Sequence, residues 1–174
     1  MKISTKAASV RHAASRDMTR QNLNCVLVEE DGACVATNGY MLLRAKANGA
    51  EAGERACLGL SELEAERKVA KARKSDAVDV PASTDVRPDN FPNWRAVAPA
   101  PLGNLPVADD AKQVTLDVNY LEAICKAARE FHGGKARDLL MIRFTVQGEL
   151  DPVAFEVKAP DSGEFAGVVM PVRP

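Results

Sequence analysis

The chain has 174 residues, enough for one domain of ordinary size with a sizeable core. Its 23 Lys and Arg nearly balance 24 Asp and Glu, and the formal charge is −1. No global field therefore draws it to nucleic acid or to membrane, and any contact with DNA must come from a local patch. No apolar run approaches the roughly 20 residues that span a bilayer, and Met1–Thr5 lacks the apolar core of a signal peptide. The four cysteines, Cys25, Cys34, Cys57 and Cys125, form no C-x-x-C pair. The expected setting is a reducing cytoplasm, where a free cysteine packs as a small hydrophobe.

From the N-terminus, Ile3 falls in a short first strand. Ser4 or Thr5 can cap a helix through about Ala14, with Ala7, Val10 and Ala14 on one face. Ser15 to Gln21 is polar and irregular. Leu23 to Glu30 reads as a strand and Asp31-Gly32 as a hairpin turn of type I′. Ala33 to Thr37 returns as a second strand, Asn38-Gly39 turns, and Tyr40 to Lys46 is a third. Ser61-x-x-Glu64 forms a capping box for a helix from Glu62 to about Arg73, acidic at its start and basic at its end. Its apolar face is thin: Leu63, Ala65, Val69, Ala70 and Ala72. Asp76 to Asn90 reads as loop, and Ala100 to Asp110 as a linker.

Val114, Thr115 and Leu116 look like a short strand, after which Asp117 can cap the next helix. Leu121, Ile124, Cys125, Ala128 and Phe131 form its apolar face, and Gly133-Gly134 stops it. The period then changes to two: Leu140, Ile142, Phe144 and Val146 point one way, Met141, Arg143 and Thr145 the other. Pro152 to Val157 and Phe165 to Val172 are two further strands, joined by an Asp161-Ser162-Gly163 turn. Both ends of the chain thus read strand, helix, three strands.

Several phrases resemble those of the bacterial DNA polymerase III beta subunit, the sliding clamp. Its final unit enters its helix through a phrase like F-N-V-x-Y-L; here it is Leu116 to Leu121. The family ends in V-V-M-P-x-R; here it is Val168 to Arg173. Leu23 to Glu29 is similar to L-x-x-V-L-L-E. Ala36 to Leu42 is similar to A-T-D-G-H-R-L, with Asn38, Tyr40 and Met41 in place of Asp, His and Arg. Phe91 to Pro99 is similar to F-P-D-Y-x-x-V-x-P, with Trp94 for Tyr. The resemblance covers most of 1–46, then 91–99 and 114–173.

The resemblance implies an α+β, DNA-clamp-like domain of two β-α-β-β-β halves, with helices on one face of antiparallel sheets. The expected layout is one such domain over 1–174. Half one runs to about residue 75, a connecting segment covers about 76–113, and half two covers about 114–174. Family rings hold six such domains, so a ring of this chain needs six copies; a homo-oligomer, a partial ring and no ring all stay open. The implied partners are duplex DNA and a DNA polymerase or other clamp-client peptides.

Carried over position by position, the walls of a peptide notch are Thr37, Gly39, Leu42, Pro92, Val97, Tyr120, Val153, Val168 and Met170. The same residues could equally serve as ordinary core. Candidate DNA-binding cations are Lys6, Arg11, Arg16 and Arg20 near the first helix, Arg67, Lys68 and Lys71 in the middle helix, and Lys126 and Arg129 on the last. Each alone reads as a solvated charge.

No catalytic constellation, cofactor motif or metal-ligand spacing emerges. His12 and His132 have no ligand-like partner at short spacing and read as surface or helix-end residues. The expected function is a non-enzymatic, clamp-like accessory factor of DNA replication or repair, carried by a phage or mobile element. One alternative is a monomeric clamp-mimic that binds client peptides without encircling DNA. Another is a small cysteine hydrolase using Cys125 or Cys25.

Overall fold

A computed structural model describes residues 1–48, 50, 53–96, 114–132, 140–148, 151–158 and 163–172. Nine strands occur among them: β1 (Lys2–Ser4), β2 (Cys25–Val28), β3 (Cys34–Thr37), β4 (Met41–Lys46), β5 (Ala56–Gly59), β6 (Ala77–Asp79), β7 (Met141–Thr145), β8 (Val153–Lys158) and β9 (Glu164–Val169). Helix α1 spans Leu60–Ala72, α2 spans Val118–His132, and a 3₁₀ helix spans Ala7–Ala13. The mixed class is α+β, with antiparallel sheets.

Seven strands form one sheet in the order β5-β2-β3-β4-β9-β8-β7. Its centre is the β4–β9 pair, in register from Met41↔Val169 to Lys46↔Glu164. The order is mirrored about that seam: β3 and β2 continue to one side, β8 and β7 to the other. The ladder therefore joins the two ends of the chain through backbone hydrogen bonds. β1 and β6 make a separate two-stranded sheet.

Strand alternation gives this sheet two unlike faces. On one face Val26, Val28, Leu43, Phe155, Val157, Phe165 and Val169 are buried against Val10, Leu63, Ile124 and Phe131 from the helices. This is the larger core. Ala7, Ala8, Ala13, Ala127 and Ala128 are buried in it too, and such small side chains let the 3₁₀ helix and α2 lie close together. On the other face a smaller cluster holds Cys25, Leu27, Val35, Leu42, Cys57, Ala154 and Val168, covered by Val86, Phe91 and Trp94.

Several expectations need correction. The first helix is 3₁₀ rather than α, with Lys6 before it and no side-chain cap. Its buried residues Ala7, Val10 and Ala13 recur every three positions, which suits three residues per turn. The capping box does not form: α1 starts at Leu60, one residue ahead of Ser61, with Gly59 as N-cap. Glu62 instead folds back over Gly59, where a Cβ would lie 2.2 Å from its Oε2. Ala65, Val69 and Ala72 are exposed, so only Leu60, Leu63 and Ala70 bury α1.

Asp31-Gly32 does turn a hairpin, but not as type I′. Gly32 has φ 77° while Asp31 does not have positive φ. Gly32 N–H donates to Glu29 O at 2.9 Å and Glu29 N–H to Ala33 O at 2.8 Å, a type I turn closed by a left-handed glycine. Val114–Leu116 is not a strand, although Val172 N–H donates to Thr115 O at 2.8 Å. The segment read as loop, 76–90, contains β6, whose Val78 is buried beside Ile3.

Asp117 does cap α2, its Oδ1 accepting from Asn119 N–H at 2.8 Å. Ala127 replaces Cys125 on the buried face; Cys125 is exposed and Leu121 half-buried. Along β7 the alternation is weaker than its sequence suggests, because this edge strand leaves Phe144 partly exposed. The Gly133-Gly134 stop, the linker 100–110, Asp161, Ser162 and Arg173 lie outside the described residues.

Candidate functional site

On the smaller face, strand register brings three of the expected wall residues side by side. Cross-strand register sets Thr37 opposite Leu42, Leu42 opposite Val168, and Val168 opposite Ala154. Thr37, Leu42 and Val168 therefore stand in one row across the seam. The turn at the end of this row is closed by Thr37 itself. Its hydroxyl donates to Met41 O at 2.8 Å and accepts from Gly39 N–H at 3.0 Å. Asn38 Oδ1 accepts from both Tyr40 and Met41 N–H at 2.9 Å. Gly39 has φ 92°, which the turn requires and a side chain would resist.

Beyond the turn the row opens to solvent. Met170 N–H donates to Tyr40 O at 2.9 Å, which extends the seam one step past β9. Tyr40 stacks on Tyr120 of α2, with centroids 6.5 Å apart and planes 13° from parallel. Burial, the Asp117 carboxylate and Tyr40 push the Tyr120 phenol above its usual value. Tyr40 and Met170 are both exposed here, one from each side of the seam.

Two notch residues are placed differently. Val153 is fully buried on the helix side of the sheet, and Ala154 takes its position in the row. Val97 lies outside the described residues. Pro92 is half-buried in the strap over the smaller face, between buried Phe91 and Trp94. The strap is latched by a buried carboxylate, Glu29. Trp94 Nε1 donates to Glu29 Oε1 at 2.8 Å, and Arg55 and Arg95 lie 3.3 and 3.2 Å from the same carboxylate. Arg95 also stacks over the Trp94 ring at 4.6 Å. Sequence reasoning missed Ala154, Tyr40 and Glu29; the Asp-Gly turn one residue beyond Glu30 gives no sign that Glu29 points inward.

The cationic candidates fall into two groups. Arg11, Arg67, Lys68 and Lys71 line one cleft of about 630 Å³ where the 3₁₀ helix, α1 and α2 meet, together with Thr5, Glu64, Lys74, Ser75, Asp76 and Glu130. Glu130 binds Arg11, Arg67 and His12 at once. Burial alone would raise its pKa, but those hydrogen bonds and the charges of Arg11 and Arg67 outweigh burial and hold it well below the usual carboxylate range. The remaining candidates lie elsewhere. Arg16 pairs with Glu64 at 2.9 Å and Lys126 with Glu122 at 2.8 Å. Arg20 lies near Asp17 and beside Gly39, closer to that row than to the cleft. Lys6 and Arg129 make no ion pair among the described residues. Neither sequence spacing nor composition marked Glu130, whereas Lys74 belongs to the basic run that ends the middle helix.

Among the described residues, neither Cys25 nor Cys125 is set up as a nucleophile. Cys25 is buried, and its hydrogen bond with Cys57 together with burial pushes its thiol up, away from the reactive thiolate. Among the described residues neither Cys25 nor Cys125 is hydrogen-bonded to a histidine, and no group of three or more His, Cys, Asp or Glu could hold a metal. No described helix is long and apolar enough to cross a membrane.

No protein-family model matches the sequence, and no curated protein matches it either. Solved structures do. The beta subunit of DNA polymerase III from Thermotoga maritima matches with TM-score 0.58 and 15% identity, over 100% of this chain and 65% of that one. A DNA polymerase sliding clamp from Pseudomonas aeruginosa matches with TM-score 0.59 and 13% identity, over 100% of this chain and 66% of that one. A DNA polymerase III beta subunit structure from Eubacterium rectale gives TM-score 0.63 and 8% identity, over 100% and 65%. The likeness runs the length of this chain but spans less than two thirds of those proteins. The chain has the fold of the bacterial DNA sliding clamps.

Proposed function

We propose that this protein is a non-enzymatic, clamp-like accessory factor of DNA replication or repair. It holds client proteins through the apolar row Thr37, Leu42 and Val168 and its lip of Tyr40, Tyr120 and Met170. It meets duplex DNA through its helix face, without sequence preference. The supporting observation is the β4–β9 seam, which brings wall residues from both ends of the chain into one buried row that leads to exposed Tyr40 and Met170. The apolar lip suits a short greasy peptide; exposed Met adapts to varied side chains. Phosphate contacts made by Lys and Arg would add affinity without reading bases. The whole chain acts as one clamp-like domain over 1–174, and a closed ring takes six copies.

The test combines native mass, duplex binding and peptide binding. A mass near six chains, with duplex affinity that falls steeply with salt, supports the reading. A monomer at high concentration with no duplex binding at low salt removes the DNA-tethering role. For the groove, fluorescence anisotropy of a short clamp-binding peptide should weaken about tenfold in Met170→Ala and in Tyr120→Ala. Unchanged binding in both variants ends the groove reading.

A second reading is favoured by the charge pairing. Arg11, Arg16, Arg67 and Lys126 are each held by a carboxylate, which lowers the field the helix face can offer DNA. A monomer that takes up client peptides without DNA fits this, and peptide binding without duplex binding would select it. The hydrolase reading finds no support in the placement of Cys25 or Cys125.

A further inference from the structure

The cleft between the 3₁₀ helix and α1 is built in two layers. At its rear, Arg11 grips Glu130 with both terminal nitrogens, and Arg67 and His12 reach the same carboxylate at 3.1 and 3.0 Å. A carboxylate receiving a guanidinium fork plus two further donors is held as a phosphate would be held. Arg67 is still not fully satisfied: its Nε is buried without an acceptor. Burial above all, and then the neighbouring Arg11, also lower its pKa.

At the mouth stand Lys68, Lys71 and Lys74, three residues apart along one side of α1 and its C-terminus. Lys68 and Lys71 are exposed, and none of the three makes an ion pair among the described residues. Lys74 is the only non-glycine residue with positive φ among those described, at 54°. It occupies the left-handed position of a Schellman stop, in which Ser75 N–H donates to Ala70 O at 2.9 Å and Lys74 N–H to Lys71 O at 3.2 Å. Glycine is the ordinary residue there; lysine accepts strain and puts an ammonium at the mouth instead. Against five cations the cleft sets three carboxylates, and one of these, Glu64, is drawn off by Arg16.

We infer that this cleft is a phosphate site whose rear cations are masked by Glu130 acting as an internal phosphate mimic. The phosphate enters at Lys68, Lys71 and Lys74, and displacement of Glu130 frees Arg11 and Arg67 to join them. Its chemistry is shared by a duplex backbone, in which case the site rests on and deepens the DNA reading above, and by a small phosphate ligand; the two probes below tell them apart.

The test titrates inorganic pyrophosphate, and separately a 20-base-pair duplex, into wild type, Glu130→Gln, Lys71→Ala/Lys74→Ala and the control Arg87→Ala at low salt. Glu130→Gln should tighten binding about tenfold and the double lysine variant should weaken it about tenfold, with Arg87→Ala unchanged. The salt slope for DNA should fall by about 2 in the double variant. If both probes follow this pattern, the backbone is the source. If only pyrophosphate follows it, the site stands with a small phosphate ligand and the duplex does not use this cleft. If the duplex binds and neither probe responds to either variant, the clamp reading survives and this cleft proposal is overturned. The double variant changes only exposed side chains at the end of a helix, so it tests the site even if Glu130→Gln folds poorly.

Discussion

The 3₁₀ helix Ala7–Ala13 and α2 lie side by side on the same face of one sheet, the first over β3 and β4, the second over β4 and β9. They are built by different means. The 3₁₀ helix has no side-chain cap and is buried through Ala7, Ala8, Val10 and Ala13. Helix α2 is capped by Asp117, is twice as long, and anchors itself with Ile124 and Phe131. The strands beside them agree far better, since β2-β3-β4 and β7-β8-β9 mirror each other about the seam. The lesson is that the ladder defines the two halves, while the helices need only offer an apolar stripe of the right width. Unequal anchoring should show as unequal sensitivity to truncation.

The largest expected effect comes from Phe131→Ala. Phe131 is fully buried, against Phe165 at 5.4 Å between centroids, so its loss should cost about 4 kcal/mol in urea denaturation. Val10→Ala in the 3₁₀ helix should cost about 2 kcal/mol. Equal costs would mean that the two helices are anchored alike. Next comes the seam itself. Gly167 pairs with Leu43 and lies where a Cβ would fall 2.2 Å from Leu42 O and 2.8 Å from the Phe155 ring. Gly167→Ala should cost about 3 kcal/mol, because the backbone oxygen cannot yield as a flexible side chain could. A neutral result would show that the seam is looser than its register implies.

A smaller pair of effects separates the capped helix from the uncapped ones. Asp117→Ala should cost about 1 kcal/mol, since Asn119 N–H loses its acceptor. Ser61→Ala should stay within about 0.5 kcal/mol, because Ser61 is inside α1 rather than before it. Thermal melts of both variants decide this, and reversed ranks would restore the capping box.

That pair also shows what the sequence could and could not disclose. The three-strand runs β2-β3-β4 and β7-β8-β9, the two hairpin glycines and the Asp117 cap are local events, and local residues dictate them. Ser61-x-x-Glu64 satisfied the same local rule yet lost to Gly59, because β5 runs straight into α1 and leaves no room for a Ser cap. Val78 and Ile3 looked unrelated until strand pairing joined β1 to β6 across most of half one. Strand parity sets Thr37, Leu42 and Val168 in one row, as their place in the sequence suggests, while in β8 it turns Val153 to the helix side and Ala154 to the row. Arg11, Arg67 and Glu130 are far apart in sequence, and no spacing rule predicts that three helices bring them into one cleft.

The smallest expected effect lies at that cleft and concerns pH. Glu130 lies on α2, while its partners Arg11 and His12 lie on the 3₁₀ helix and Arg67 on α1, so this carboxylate ties three helices together. Its folded pKa lies below its ordinary value of 4.5. The stabilisation is therefore fully present above the unfolded value and is lost as pH falls through and below it. About a third of the side chain meets solvent, and screening keeps the effect modest. Wild type and Glu130→Gln should differ in melting temperature near pH 6 and converge as pH drops below about 4. A gap that stays constant over that range would mean that the residue acts by shape rather than charge. Raising salt at pH 6 should narrow the same gap, since the ion cluster is only partly shielded from water.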